Sequence, residues 1–268
     1  MRKVTGLPAA LGAAAFGIAL TAMTAGAAHA ANMSPDTPMN APAVSKTNAR
    51  LSASGIYADD NRIDAKYGEA LSGSVATPLG HEFGVQADGL VANRQARDVA
   101  GIGGHLFWRD PSTGLVGLTA SDTTADIKGP KGHLGIARFG GEGQLYSGPF
   151  TFAAQSGYQE GHHVKNGYYG SLTGYWYADP NMRFGLGAAN DPVRDTTGLL
   201  DVEYMPRIQG LPGMALFADG RAGDNEFAAA QFGVRFYFGQ HKSLEAGDRE
   251  DASMLSLPDD TLMDMPMS

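Results

Sequence analysis

The stretch that decides the fold is Ala228-Ala229-Ala230-Gln231-Phe232-Gly233-Val234-Arg235-Phe236-Tyr237-Phe238, near the end of the chain. Apolar side chains occupy every second position, and the positions between them hold Gln231, Gly233, Arg235 and Tyr237. Successive side chains of a β-strand point to opposite faces, so a strand separates these two sets, whereas a helix would mix them. The stretch therefore predicts a strand with one apolar face and one polar face.

The same alternation recurs throughout residues 48–238, in segments of about ten residues bounded by Gly, Pro, Asn or Asp. Twelve segments can be counted, near 48–58, 67–77, 81–91, 98–108, 113–121, 132–147, 149–160, 166–178, 181–190, 197–206, 214–221 and 225–238. Short turns follow the second, fourth, sixth and eighth segments, and longer polar loops follow most of the others. Such alternation is typical of outer-membrane barrels. Because the strand count is even, both chain ends are predicted on the short-turn side, facing the periplasm.

The N-terminus predicts export. Arg2 and Lys3 precede an apolar stretch near 7–23, and the small-residue sequence Ala28-His29-Ala30 follows, which together indicate a signal peptide at 1–30. A membrane-anchoring helix is the less favoured alternative. The signal carries two basic and no acidic residues, so the remaining chain has a net charge of −10, which argues against a nucleic-acid partner. The absence of cysteine excludes disulfides and thiolate metal sites.

Two segments outside the barrel lack periodicity. Residues 31–47 carry three prolines among Ser, Asn and Asp, and are predicted to form a flexible leader. Residues 239–268 hold only Lys242 and Arg249 against seven acidic residues, and are predicted to be a disordered acidic tail in the periplasm. The remaining segment, 48–238, is the predicted barrel domain.

Alternation alone does not say which face meets lipid, so a soluble β-sandwich or lipocalin-like barrel stays open as an alternative. Aromatic residues beside the short turns favour the membrane, because outer-membrane barrels carry interfacial aromatic girdles. The predicted periplasmic girdle consists of Trp108, Phe150, Trp176, Phe236 and Phe238. The predicted fold is therefore all-β, a twelve-stranded antiparallel up-and-down transmembrane β-barrel.

Residues 231–238 look like the terminal strand signal that the outer-membrane assembly machinery recognises, although here thirty residues follow the signal. The stretches 103–111 and 140–144 resemble uncharacterised porin-like outer-membrane β-barrel proteins of Gram-negative bacteria, and the resemblance covers about 48–250. It implies a barrel in the outer membrane, with outer-membrane lipid and the assembly machinery as partners. It supplies no catalytic residue and no cofactor.

The polar face of the strands predicts a charged lumen. Its candidate lining residues are Asp88, Arg138, Glu142, Gln155, Arg183, Asp201, Glu203, Asp219, Arg221 and Arg235, with Gln144 and Gln231 beside them. Charged rings of this kind set selectivity in pores, but the same residues could also form a salt-bridged filling. If the ninth and tenth strands form a hairpin centred near residue 193, Arg183 and Glu203 lie directly opposite each other.

The predicted function is porin-like, a narrow channel for small solutes of unknown identity. A non-conducting structural or surface-interaction barrel is the alternative, and a lipid-active outer-membrane enzyme is a third possibility. An enzyme would need a nucleophile beside a histidine near the outer rim, and only His133 begins a strand there, without a Ser-x-Gly context. No enzymatic activity, cofactor or metal is therefore predicted.

Overall fold

A computed structural model describes residues 41–59, 67–94, 98–126, 132–224, 227–239, 242–256, 258, 260 and 261, so the predicted signal peptide lies outside them. The strands are β1 (Asn48–Asp59), β2 (Tyr67–Leu79), β3 (Phe83–Arg94), β4 (Asp98–Asp110), β5 (Gly114–Asp126), β6 (His133–Ser147), β7 (Phe150–His162), β8 (Gly167–Asp179), β9 (Met182–Asp191), β10 (Asp195–Tyr204), β11 (Met214–Gly223) and β12 (Ala228–Phe238). One short helix, α1 (Leu244–Glu250), follows them. No helix in the described part of the chain is long and apolar enough to span a membrane.

All neighbouring strands are antiparallel, and β12 pairs with β1 to close the barrel. The predicted twelve-stranded fold is confirmed, and each predicted segment corresponds to one strand. Closure pairs every strand on both sides, which leaves no sheet edge whose backbone groups would have to be satisfied in lipid.

The apolar face of the strands points outward. Ile102, Leu186 and Phe232 are 69, 73 and 62% exposed, whereas Glu142 is 1% and Gln144 0% exposed. A soluble barrel has the opposite arrangement, with its apolar set inside, because water solvates its outer wall. The outer wall of this barrel matches lipid, which excludes the soluble alternative.

The two rims of the barrel differ less in loop length than the sequence predicts. The connections β2–β3, β4–β5, β6–β7 and β8–β9 have two or three residues, and both chain ends leave this rim, called the short-turn rim below. At the opposite rim, the loop rim, the connections 95–97 and 192–194 also have only three residues, because the flanking strands run further than predicted. The connection 205–213 at the short-turn rim is the longest of its set.

Aromatic side chains form clusters near both rims of the outer wall. At the short-turn rim Trp176 stacks on Phe184, and Phe236 stacks on Phe238, with ring centroids 5.9 and 6.4 Å apart. Phe150 is exposed there, and Trp108 is half-buried opposite Phe83. Towards the loop rim lie Phe139, Tyr158 and Tyr168. Along β8 the two clusters are eight residues apart, about 20 Å for a strand tilted by about 40°, close to the height of an outer-membrane apolar band.

The described parts of the predicted flexible leader and disordered tail, residues 41–47 and 242–256, 258, 260 and 261, pack against the inside of the barrel instead of lying free. Ala43 and Val44 are fully buried, and Ser45 N donates to the carbonyl of Glu250. Helix α1 lies across the inside of the short-turn rim, where Glu245 N donates to Pro180 O and an Arg249 guanidinium nitrogen donates to Gly148 O. The composition of the tail predicts disorder for an isolated chain, but the barrel supplies partners for its charges, and these partners order it.

Candidate functional site in the barrel lumen

The predicted lumen residues all lie on the inner wall. Asp201, Asp219 and Arg235 are half-buried. The others are buried, namely Asp88, Arg138, Glu142, Gln155, Arg183, Glu203 and Arg221. Alternation places each of them inward, and closure of the sheet brings residues of distant strands together. Most of them form three groups, each of which also contacts the tail, while Arg138 donates from Nε to Gln159 of β7.

The first group surrounds Glu203, a carboxylate with no exposure to solvent. Arg183 lies directly opposite it in the β9–β10 register, and its Nη2 donates to Glu203 Oε2 at 3.0 Å, so the predicted pairing is confirmed. Arg235 Nη1 donates to the same oxygen at 2.5 Å, and the Tyr237 hydroxyl donates to Oε1 at 2.6 Å. A carboxylate this deeply buried is stable only because both of its oxygens accept charge-assisted or hydroxyl hydrogen bonds.

Arg183 also links the wall to the tail. Its Nε and Nη2 donate to the two oxygens of Asp201, at 2.9 and 3.1 Å, in the planar two-point geometry that a guanidinium favours. The remaining terminal nitrogen, Nη1, donates to Asp248 of helix α1 at 2.6 Å, and the Tyr177 hydroxyl donates to the same Asp248 oxygen. Burial raises the pKa of the Asp248 carboxyl above its ordinary value, and Arg183 opposes that rise.

The second group centres on His105, whose side chain is fully buried between two carboxylates. Its Nε2 is 2.7 Å from Asp88 Oδ2, and its Nδ1 is 2.9 Å from Glu142 Oε1. Ser253 of the tail donates from Oγ to the other Glu142 oxygen at 2.8 Å, and its backbone nitrogen donates to Gln86 at 2.6 Å. A histidine between two carboxylates neutralises part of their charge and positions Glu142 to hold the tail.

The third group holds the far end of the tail. Arg221 Nη2 donates to Asp260 Oδ1 at 2.7 Å, and Gln155 Nε2 donates to Oδ2 at 2.8 Å. Pro258 lies over the bare backbone of Gly101 and Gly103, where an added Cβ would come within 3.0 to 3.2 Å of the proline ring. The tail thus rises from the short-turn rim past the middle of the barrel.

Apolar clusters close the lumen on either side of these polar groups. Towards the short-turn rim, Ala252 and Val44 pack with Phe107 and Leu115. Towards the loop rim, Ile56, Leu90 and Ile136 belong to a cluster against which Val164 and Val193 fold in from the loops. Between them remains a polar cavity of about 110 Å³. In the described part of the chain, the lumen is therefore filled by wall side chains, tail residues and loop residues, apart from this cavity.

Sequence reasoning missed the tail as part of the site. The acidic composition of the tail complements the arginines of the wall. The partners are distant in the sequence, however: Arg183 and Asp248 are 65 residues apart, and Arg221 and Asp260 are 39 residues apart. Local signals for the helix were present: Ser243 caps it by accepting a hydrogen bond from Ala246 N, and Glu245 pairs with Arg249 one turn later.

Comparison with solved structures agrees with this architecture. The structure described as "KdgM porin" superposes with a TM-score of 0.54 and 10% identity, covering 71% of this chain and 99% of the porin, and "KdgM porin in complex with disordered oligogalacturonate" gives the same values. At this identity the match shows the fold alone, that of a porin-like outer-membrane barrel.

Two weaker matches carry no functional argument. The outer membrane protein Omp33 of Acinetobacter baumannii has a TM-score of 0.44 at 8% identity, covering 72% of this chain and 99% of Omp33. Outer membrane phospholipase A of Escherichia coli has a TM-score of 0.47 at 13% identity, covering 76% of this chain and 94% of the enzyme. No family model and no curated protein matches the sequence.

Proposed function

We propose that this protein is a porin-like channel for small solutes, held closed by its own C-terminal tail, with both termini in the periplasm. The observation that supports the proposal is that the barrel wall and the material that fills the lumen are separate parts of the chain. The wall is polar and charged along the barrel, as in a pore, while the described residues of the tail, 242–256, 258, 260 and 261, occupy the space beside it. None of these described tail residues takes part in a strand pairing, so the segment can leave the lumen without breaking one.

The alternative, a non-conducting barrel, does not account for the charged residues of this wall. A barrel that is only structural has no need of many buried ionisable groups, since well-packed apolar residues fill a lumen at no greater cost. Four arginines of the wall line the 110 Å³ cavity against two wall aspartates, namely Arg50, Arg183, Arg221 and Arg235 against Asp201 and Asp219. The proposal therefore includes a preference for anionic solutes once the tail moves.

The proposal includes no enzymatic activity. His133, the candidate base, lies on the outer surface with a side chain 72% exposed and pairs with Asp126 at 2.5 Å. The histidine is therefore exposed to solvent. Among the described residues, its ion-pair partner is a carboxylate and not the Ser nucleophile that acyl transfer needs. If His133 activated a serine or a water molecule for lipid hydrolysis, the release of fatty acid from outer-membrane lipid would depend on His133. We expect no such release.

The absence of cysteine allows a decisive test in the full-length chain. A Cβ built on Gly101 lies 3.0 Å from Pro258 Cβ, within about 1 Å of the separation that a disulfide requires. In the double variant Gly101→Cys/Pro258→Cys, oxidation should lock the tail against β4. We expect the wild type and the reduced variant to conduct in planar bilayers in intermittent openings, during which the tail leaves the lumen, and we expect these openings to be lost on oxidation.

The single variant Gly101→Cys under the same oxidant is the matched control, and it should conduct in both redox states. Equal conductance of the oxidised and reduced double variants would show that the tail does not block the path. Absence of conductance in the wild type and in the reduced variant alike would establish the non-conducting barrel instead.

A further inference from the structure

The Asp260 carboxylate is held in a site made by the wall rather than by the tail. Arg221 of β11 binds one oxygen, and Gln155 of β7 binds the other, so the two donors converge from strands on different parts of the barrel. Both donors are buried, with 9% and 4% exposure. A guanidinium and an amide aimed at the two oxygens of one carboxylate form a built anion site.

The surroundings of this site favour an anion other than Asp260 as well. Arg138 lines a small cavity that also contains Asp260, Gln155 and Arg221. On its other side Asp260 borders the 110 Å³ cavity, in which wall arginines outnumber wall aspartates. The Asp260 side chain remains 28% exposed, so the site is reached from the cavity and is not sealed by the tail.

We propose that the Arg221–Gln155 site binds the carboxylate or phosphate group of a solute in competition with Asp260, so that the arriving anion releases the end of the tail. The inference rests on the proposed function, because it makes the solute itself the signal that opens its path. A solute that binds only the released state shifts the population towards that state by its own binding free energy. By reciprocity, weakening the attachment of Asp260 must strengthen apparent solute binding.

The test follows the tail directly, through a single cysteine placed in it. Pro258 is buried, so a cysteine in the variant Pro258→Cys should react slowly with a polar maleimide in the refolded full-length protein. Citrate and inorganic phosphate serve as probes, and chloride at equal ionic strength controls for screening of the tail's ion pairs. We expect citrate or phosphate to accelerate labelling saturably by about fivefold or more, and chloride to have little effect.

Two further variants keep the result interpretable. Asp260→Asn in the Pro258→Cys background should label fast without any anion, while Arg221→Gln should label fast and lose the response to anions. Thr261→Cys, also fully buried, repeats the measurement without removing the proline. Heat-modifiable gel mobility checks that each barrel is folded.

A response to citrate and phosphate that is not saturable, or that survives Arg221→Gln, would overturn the inference. Citrate and phosphate acting to different extents would separate a carboxylate solute from a phosphate one. Because labelling reports only tail release, a barrel that responds to anions but carries no current would refute the channel and leave the anion site standing. A barrel that conducts but whose tail labelling does not respond to anions would refute the anion site and leave the channel standing.

Discussion

Removing one partner of the Arg183–Glu203 pair should destabilise the barrel far more than a surface ion pair would. The two side chains are 6% and 0% exposed, and Glu203 also accepts from Arg235 and Tyr237. Truncating a buried, hydrogen-bonded charge leaves its partner unpaired, which costs roughly 3 to 5 kcal/mol, whereas a solvated pair contributes about 0.2 to 1 kcal/mol. We expect Glu203→Ala to fall in the higher range.

Arg183→Ala should cost at least as much, because it leaves Asp201, Glu203 and Asp248 facing one another with less compensation. The double variant Arg183→Ala/Glu203→Ala should be destabilised by less than the sum of the two single destabilisations, since each single change already breaks the shared contact. The matched control is Arg50→Ala, a half-buried cation of the same lumen that makes no ion pair with any described residue.

The measurement is equilibrium unfolding in urea of the protein refolded into lipid, followed by tryptophan fluorescence. Single substitutions that each cost less than about 1 kcal/mol would mean that water screens this cluster, and the description of Arg183 and Glu203 as a buried, tail-covered pair would then be wrong. A cost for Arg50→Ala equal to that for Arg183→Ala would show that the loss comes from truncation in general and not from the pair.

Two further predictions concern the wall. Val234→Arg, facing outward on β12, should cost about 2 to 4 kcal/mol in lipid, while Gln231→Arg, facing the cavity, should be tolerated; the reverse order in the same unfolding assay would exchange inside and outside. Gly233→Ala should cost roughly 1 to 3 kcal/mol, because its Cβ would overlap the carbonyl oxygen of Ala53, whereas Gly89→Ala meets no atom within 4 Å and should leave the urea midpoint unchanged; equal midpoints would contradict the close approach.

The sequence alone determined the strands and the register of one hairpin. Alternation is a local property with a period of two residues, so it can be read from Ala228–Phe238 without knowledge of any neighbour. A hairpin with a short loop adds only one unknown, its centre, and this was enough to place Arg183 opposite Glu203. Which face meets lipid could be inferred only indirectly, from aromatic residues near the turns.

Only the tertiary structure decided how the lumen is filled. The contacts of Asp248, Ser253 and Asp260 join the tail to wall residues 39 to 167 positions earlier, and no periodicity connects such distant positions. An acidic segment is expected to be disordered when its charges are considered by themselves, because it cannot bury enough apolar surface to offset its loss of conformational entropy. Closure of the barrel changes that balance: it gathers arginines from strands far apart in the chain into one enclosed space of low dielectric constant, where the tail's carboxylates become their counter-charges.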